Sequence, residues 1–199
     1  ILYPRVLRNC DHGQLEAALV GRCFTKLDRR GKYLICSLDS DHRLVIHLRM
    51  TGRLVTVPVD DAVEKHTSFC IHLEDDSDLR LVDQRKFATV DLLQGPGWGS
   101  IKGLESLGKE PLDEDFTPAY LADQLSGRRA AVKSVLLDQR RVAGLGNIYV
   151  DESLHRAGIF PGKIAGNITE EEVKRLHQSI QGVIREGIAH RGTTFRDYV

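Results

Sequence analysis

Gln94-Gly95-Pro96-Gly97-Trp98-Gly99-Ser100 separates two stretches of different pattern. Three glycines and one proline in seven residues cannot sustain a helix or a strand. Before this segment, short β-rich runs recur; after it, apolar residues fall at helical spacing. The domain boundary therefore belongs in a linker over 96–110, with one domain over 1–95 and a second over 111–199.

The N-terminal runs are Tyr33–Leu38, Leu44–Leu48, Leu54–Val57, Ser68–Leu73, Leu79–Val82 and Thr89–Leu93. Polar breaks at Asp39-Ser40-Asp41, Thr51-Gly52 and Glu74 to Asp78 part them. Such runs predict an antiparallel sandwich or barrel. Thr51-Gly52 reads as a hairpin tip, with Gly52 at positive φ. Gln14 to Val20 is expected to add a turn or two of helix. In the second half, Thr117-Pro118 opens a helix to about Leu125 as N-cap and first-turn proline. Further helices are expected over Arg129–Leu137 and Ile148–Arg156, the latter stopped by Gly158. Thr169 to Glu172 forms a capping box ahead of the stripe Val173, Leu176, Ile180, Val183, Ile184 and Ile188. The fold class is α+β in two domains, a β-sandwich or barrel followed by a helical domain.

An apolar share of 41% and a charged share of 28% suit a globular chain and argue against intrinsic disorder. No apolar run reaches the roughly 18 residues of a membrane span, and no signal-peptide pattern opens the chain. A cytoplasmic location and no membrane partner are expected. Cys10, Cys23, Cys36 and Cys70 form no C-x-x-C pair, so they read as reduced and mostly buried thiols, with no metal site. The net charge is zero, yet residues 1–58 sum to +5, 59–125 to −9 and 126–199 to +4. DNA binding needs a basic face rather than a basic total; a patchy solvated surface is the alternative.

Val142-Ala143-Gly144-Leu145-Gly146-Asn147-Ile148 joins the second and third helices of the C-terminal half. Two glycines and a following helix N-terminus can cradle a phosphate, with Asn147 as N-cap or added donor. A plain interhelical turn is the competing reading. Arg128, Arg129, Lys133, Arg140 and Arg141 lie upstream and favour backbone-directed DNA binding. A dinucleotide fingerprint is excluded, because no strand precedes the loop.

This loop, with Leu137-Asp138-Gln139 before it and Asp151-Glu152 and Arg156-Ala157-Gly158-Ile159 after it, resembles the helix–two-turn–helix of bacterial formamidopyrimidine-DNA glycosylases and endonuclease VIII. Arg29-Arg30-Gly31-Lys32-Tyr33-Leu34 resembles the family's R-R-x-K-Y-L strand. His47-Leu48-Arg49-Met50-Thr51-Gly52 resembles its H-L-G-M-S-G turn, and Asp83-Gln84-Arg85-Lys86-Phe87 its D-P-R-R-F-G loop. Glu64-Lys65-His66 and Leu107-Gly108-Lys109-Glu110-Pro111-Leu112 are similar too, and the resemblance runs from Ile1 to Gly192-Thr193-Thr194.

The resemblance implies a base-excision-repair glycosylase that removes oxidised bases such as 8-oxoguanine and formamidopyrimidine from duplex DNA. It would then nick the abasic site by β,δ-elimination as an AP lyase. It implies that Lys32 assists proton transfer beside the lesion. Met50, Arg85 and Phe87 would fill the gap left by the everted nucleotide, with Arg85 facing the widowed base. His47, His66, Arg85, Lys86, Arg129, Lys133 and Asn147 would contact DNA. Without the family, Lys32 reads as a surface-strand lysine, and Met50 and Phe87 as ordinary core. The partner is double-stranded DNA carrying an oxidised base or abasic site, and a monomer is expected.

Three departures accompany the resemblance. The family opens P-E-L-P-E and uses its proline amine as nucleophile. Ile1 stands instead at what resembles the first strand after the opening helix, so the nucleophile is expected outside these residues. The family's zinc belongs to a C-terminal finger beyond Val199, so no cofactor is expected here. Arg49 replaces a glycine, Gln84 a proline, Lys86 an arginine and Ala88 a glycine. Arg49 adds charge near DNA and bears on the turn, and these changes leave lesion preference open. A non-catalytic damaged-DNA-binding homologue is the main rival. An RNA or ribosome partner would leave Met50, Arg85 and Phe87 without a role.

Overall fold

The computed structural model describes residues 1–99, 101–190 and 192; Ser100, Arg191, Thr193 and Thr194 lie outside the described residues. The chain divides into two compact units, Ile1–Glu105 and Ser106–Val199.

The first unit is a β-sandwich. Its seven strands are β1 (Phe24–Arg30), β2 (Tyr33–Leu38), β3 (His42–His47), β4 (Gly52–Pro58), β5 (Thr67–His72), β6 (Ser77–Asp83) and β7 (Thr89–Gln94). They form a four-stranded sheet β1-β2-β3-β7 and a three-stranded sheet β4-β6-β5, with antiparallel pairing throughout. Cys36, Leu44, Ile46 and Val90 of the first sheet share a core with Phe69 and Leu81 of the second. Burying side chains of this size stabilises by about 1.5–3 kcal/mol each, which holds the sheets face to face. Helix α1 (His12–Leu19) starts with a capping box: the Asp11 carboxylate accepts from the Gln14 amide, and the Gln14 side chain accepts from the Asp11 amide.

Several expectations need correction here. Thr51-Gly52 is not a hairpin tip, because β3 pairs with β2 and β7 while β4 pairs with β6. The turn carries the chain from one sheet to the other. Gly52 is absent from the positive-φ residues; a Cβ there would lie 2.4 Å from the Leu48 carbonyl oxygen, so close approach explains it. Strand β1 lies outside the expected runs: Phe24-Thr25-Lys26-Leu27-Asp28-Arg29-Arg30 is an edge strand exposed along most of its length and shows no clean alternation. Ile1 does not begin a strand; the segment holds a 3-10 turn at Pro4–Val6 and a single bridge from Leu7 to Val90. The four thiols are not mostly buried: Cys36 is buried, Cys10 and Cys70 are half-buried and Cys23 is exposed.

The 96–110 segment is not bare linker. Arg43 donates to the carbonyls of Gly95 and Gly97 and lies over the Trp98 ring, and helix α2 (Lys102–Glu105) follows.

The second unit contains α3 (Pro118–Leu125), α4 (Val132–Leu137), α5 (Asn147–Ala157) and α6 (Glu170–Ala189). Thr117 caps α3, and Thr169 with Glu172 forms the capping box of α6. Gly158, at φ 67°, ends α5. Helix α4 begins three residues later than Arg129, since Ala131 still has extended geometry. The stripe of α6 packs Val173, Leu176 and Ile180 against Leu121, Leu136, Leu145 and Leu154. No helix among the described residues is long and apolar enough to cross a membrane.

Candidate nucleic-acid interface

Tyr33, His47 and Thr89 are register partners at one end of the four-stranded sheet. Gly52 pairs with Asp83, and Thr67 with Val82, at one end of the three-stranded sheet. The connections 48–51 and 84–88 run between these two ends. Lys32, the 47–51 turn, the 64–66 loop and the 84–88 loop are therefore gathered at one end of the sandwich.

Exposure settles the question of Met50 and Phe87. They are 72% and 53% exposed, so neither is core. Singly exposed apolar side chains are ordinary, but two clustered on neighbouring connections form a patch of the kind that marks an interaction site. Arg85 joins them: its Nη1 lies 3.3 Å from the Met50 Sδ, and its guanidinium lies 5.5 Å from the Phe87 ring centroid.

A residue not nominated from sequence organises this cluster. Asp83 is fully buried. Its Oδ1 accepts from the Thr51 hydroxyl at 2.5 Å and from the Arg85 amide at 3.2 Å. Its Oδ2 accepts from the amides of Phe87 and Ala88, each at 2.7 Å. Burial pushes the carboxyl pKa up, but the Thr51 hydroxyl and the amides of Ala88, Phe87 and Arg85 outweigh it, holding the group below its ordinary value. The Asp83 amide also donates to the His66 carbonyl at 3.0 Å, tying in a third loop. The sequence signal was an aspartate two residues before an arginine in a turn, the pattern of a side chain that accepts from its own downstream backbone.

Each of the three loops holds a basic residue in the left-handed region: Arg49 at φ 57°, His66 at φ 75° and Lys86 at φ 57°. Non-glycine residues rarely adopt this conformation. Lys86 Nζ lies 4.7 Å from the Tyr3 ring centroid. The loop bearing His66 is stapled from below by buried Arg80, which donates to the carbonyls of Ala62 and Asp61 and pairs with Asp78.

Lys32 follows Gly31 in the two-residue β1–β2 connection. Desolvation by its surroundings lowers its ammonium pKa. His47 is buried, and its pKa is lowered to about 4 by desolvation, then by the charges of Arg49 and Lys32. Its Nδ1 faces the Arg49 amide at 3.0 Å. An amide can only donate, so a neutral His47 carries its proton on Nε2.

In the helical unit, the glycine loop has a side-chain frame. Gln139 donates through Nε2 to the carbonyls of Leu137 (3.0 Å) and Leu145 (2.8 Å) and accepts through Oε1 from the Gly144 amide (2.9 Å). Gly144 has φ 84°, and Leu145 is buried as an anchor. Asn147 is the first helical residue rather than the N-cap. Gly146 holds the cap position and offers no side chain, so the first turn of α5 keeps unsatisfied amides. Asn147 is exposed. Lys133 pairs with Asp151 at 2.7 Å. Asp151 lies four residues after Asn147, on the same face of α5, so the pair draws Lys133 toward that face. Arg129 is exposed in the turn ahead of α4. Arg140 and Arg141 both pair with Asp138, Arg141 half-buried and Arg140 exposed. No group of three or more metal-ligating side chains occurs among the described residues.

Comparison with known proteins follows the same division. The N-terminal domain profile of formamidopyrimidine-DNA glycosylase matches residues 1–90, and the H2TH domain profile matches 107–199. The formamidopyrimidine-DNA glycosylase of Desulforamulus reducens is 47% identical over 197 residues, covering 98% of this chain and 71% of the relative. That of Moorella thermoacetica is 46% identical, covering 100% and 73%. The crystal structure of wild-type Lactococcus lactis Fpg with DNA containing N7-benzyl-Fapy-dG aligns at TM-score 0.91 and 35% identity, over 97% of this chain and 71% of that one. The Lactococcus lactis Fpg complex with abasic-site DNA aligns at TM-score 0.88 and 35% identity, over 97% and 70%. The chain belongs to the formamidopyrimidine-DNA glycosylase family.

Proposed function

We propose that this protein is a base-excision-repair DNA glycosylase with AP lyase activity, acting as a monomer on duplex DNA in the bacterial cytoplasm. It removes oxidised bases, 8-oxoguanine and formamidopyrimidine among them, and nicks the strand by β,δ-elimination. The observation that carries this reading is the exposed cluster of Met50, Arg85 and Phe87 on two neighbouring connections. Everting a nucleotide costs a few kcal/mol of unstacking, which apolar wedges offset by occupying the gap. Phe87 stacks in the gap, Met50 fills the volume of the lost base, and Arg85 donates to the orphaned partner. An aromatic face is worth about 1–3 kcal/mol per stacked base.

The remaining residues have roles that follow from their surroundings. Lys32, its ammonium acidified by desolvation, holds or passes a proton beside the everted nucleotide. His47, neutral at pH 7, donates from Nε2 to a phosphate oxygen. Lys86 and His66 add contacts on the same unit. In the helical unit, the glycine loop, Asn147, Arg129 and Lys133 hold the backbone of the duplex. The preferred lesion is set by groups that touch the everted base.

The test is borohydride trapping on duplexes carrying 8-oxoguanine or an abasic site, with the protein as its whole gene encodes it. A covalent adduct on either is expected. Absence of an adduct on both removes the lyase assignment. Tight lesion binding without an adduct would favour a damage-binding homologue without chemistry.

A further inference from the structure

The two connections that carry the gap-filling cluster have no strand pairing between them. Beyond the pair Gly52–Asp83, one chain leaves for β3 and the other for β7, both in the opposite sheet. Thr51 and Asp83 stand at this fork. The Thr51 hydroxyl donates to one Asp83 oxygen, and the Arg85 amide lies 3.3 Å from the same hydroxyl. The other Asp83 oxygen takes the amides of Phe87 and Ala88. One side of the carboxylate thus grips the turn next to Met50, and the other grips the backbone of Phe87.

We propose that Thr51 and Asp83 are positioning residues for lesion recognition, clamping the Met50 turn to the Arg85–Phe87 loop so that all three side chains enter the duplex as one body. The inference rests on the gap-filling reading of those side chains. Two loops that moved independently would each have to be ordered when they insert, and that cost would fall on the step that distinguishes a gapped stack from an intact one. A buried carboxylate suits this role because it accepts four hydrogen bonds at once, and bonds to an ionised acceptor are roughly twice as strong as neutral ones. The clamp touches no phosphate, so it bears on selectivity rather than on general affinity for DNA.

Binding of the intact protein to two duplexes of the same sequence tests this, one with a tetrahydrofuran abasic analogue and one undamaged. Thr51→Val keeps the shape and removes the donor; Thr51→Ser keeps the donor. Thr51→Val is expected to lower the preference for the abasic duplex about tenfold. Affinity for the undamaged duplex and its salt dependence should stay at the wild-type level, and Thr51→Ser should restore the preference. A purely structural hydroxyl would lower the melting temperature and leave the preference unchanged. A folded Thr51→Val protein with wild-type preference overturns the clamp. Wild-type protein with no preference for the abasic duplex overturns the gap-filling reading itself, and the clamp with it.

Discussion

The loop cluster of the sandwich and the glycine loop of the helical unit solve opposite problems with the same kind of device. Each has a polar side chain that frames its backbone, Asp83 for the 84–88 loop and Gln139 for the glycine loop. Asp83 can only accept, and it consumes the amides of Arg85, Phe87 and Ala88. The 84–88 loop therefore has few backbone donors left and must present side chains. Gln139 mostly donates, consuming the carbonyls of Leu137 and Leu145. That turns oxygens inward, while the first-turn amides of α5 have no side-chain cap. The donor–acceptor sense of the framing residue decides whether a loop offers side chains or backbone. The same contrast governs backbone conformation: the sandwich holds Arg49, His66 and Lys86 at positive φ to keep their side chains, whereas the helical loop uses Gly144 and keeps none.

The largest effect is expected from removing the acceptor frame. Asp83→Ala strands three backbone amides and a hydroxyl and should lower unfolding stability by about 3 kcal/mol or more. A urea-melt loss below about 1 kcal/mol would mean that water replaces the carboxylate and that the frame is dispensable. Gln139→Ala should cost about 2 kcal/mol. Gln139→Glu should cost more, because a carboxylate would face two carbonyls it cannot bond. If Glu is tolerated better than Ala, the contrast in donor sense fails.

His47 of the sandwich contributes to the pH dependence at the mildly acidic end. Folded His47 takes a proton at about 4, whereas an unfolded histidine does so near 6.5. Between these values the unfolded chain binds more protons, so stability is full above about 6.5 and falls as pH drops toward 4. His47→Asn should flatten that stretch of the stability curve; an unchanged slope would assign it to other groups.

Smaller effects separate conformation from charge. Arg49→Gly should raise stability by about 1 kcal/mol by relieving the positive φ. The same change should reduce the slope of log affinity against log salt by about 0.9 if the guanidinium meets a phosphate. Loss of stability would instead give Arg49 a packing role. Asn147→Ala should shift stability by less than about 0.5 kcal/mol, since Asn147 is not the cap, while weakening DNA binding equally on damaged and undamaged duplexes. A loss near 1 kcal/mol would restore it as a cap.

Local order in this protein was legible from residues alone. Short β-rich runs between polar breaks marked six of the seven strands, and Thr117, Thr169, Glu172 and Gly158 marked helix ends, because caps and local composition act within a few residues. The motifs around Met50, Arg85, Phe87 and Asn147 were equally visible. Tertiary structure alone decided that the Thr51-Gly52 turn joins two sheets rather than two paired strands, and that Gly52 answers to the Leu48 carbonyl. It alone showed Asp83 and Gln139 as frames, and β1 as a strand that pairing stabilises without an apolar pattern. Those features depend on which distant backbone groups register brings within hydrogen-bond reach, and that geometry is set by the packed sheets and helices rather than by neighbours along the chain.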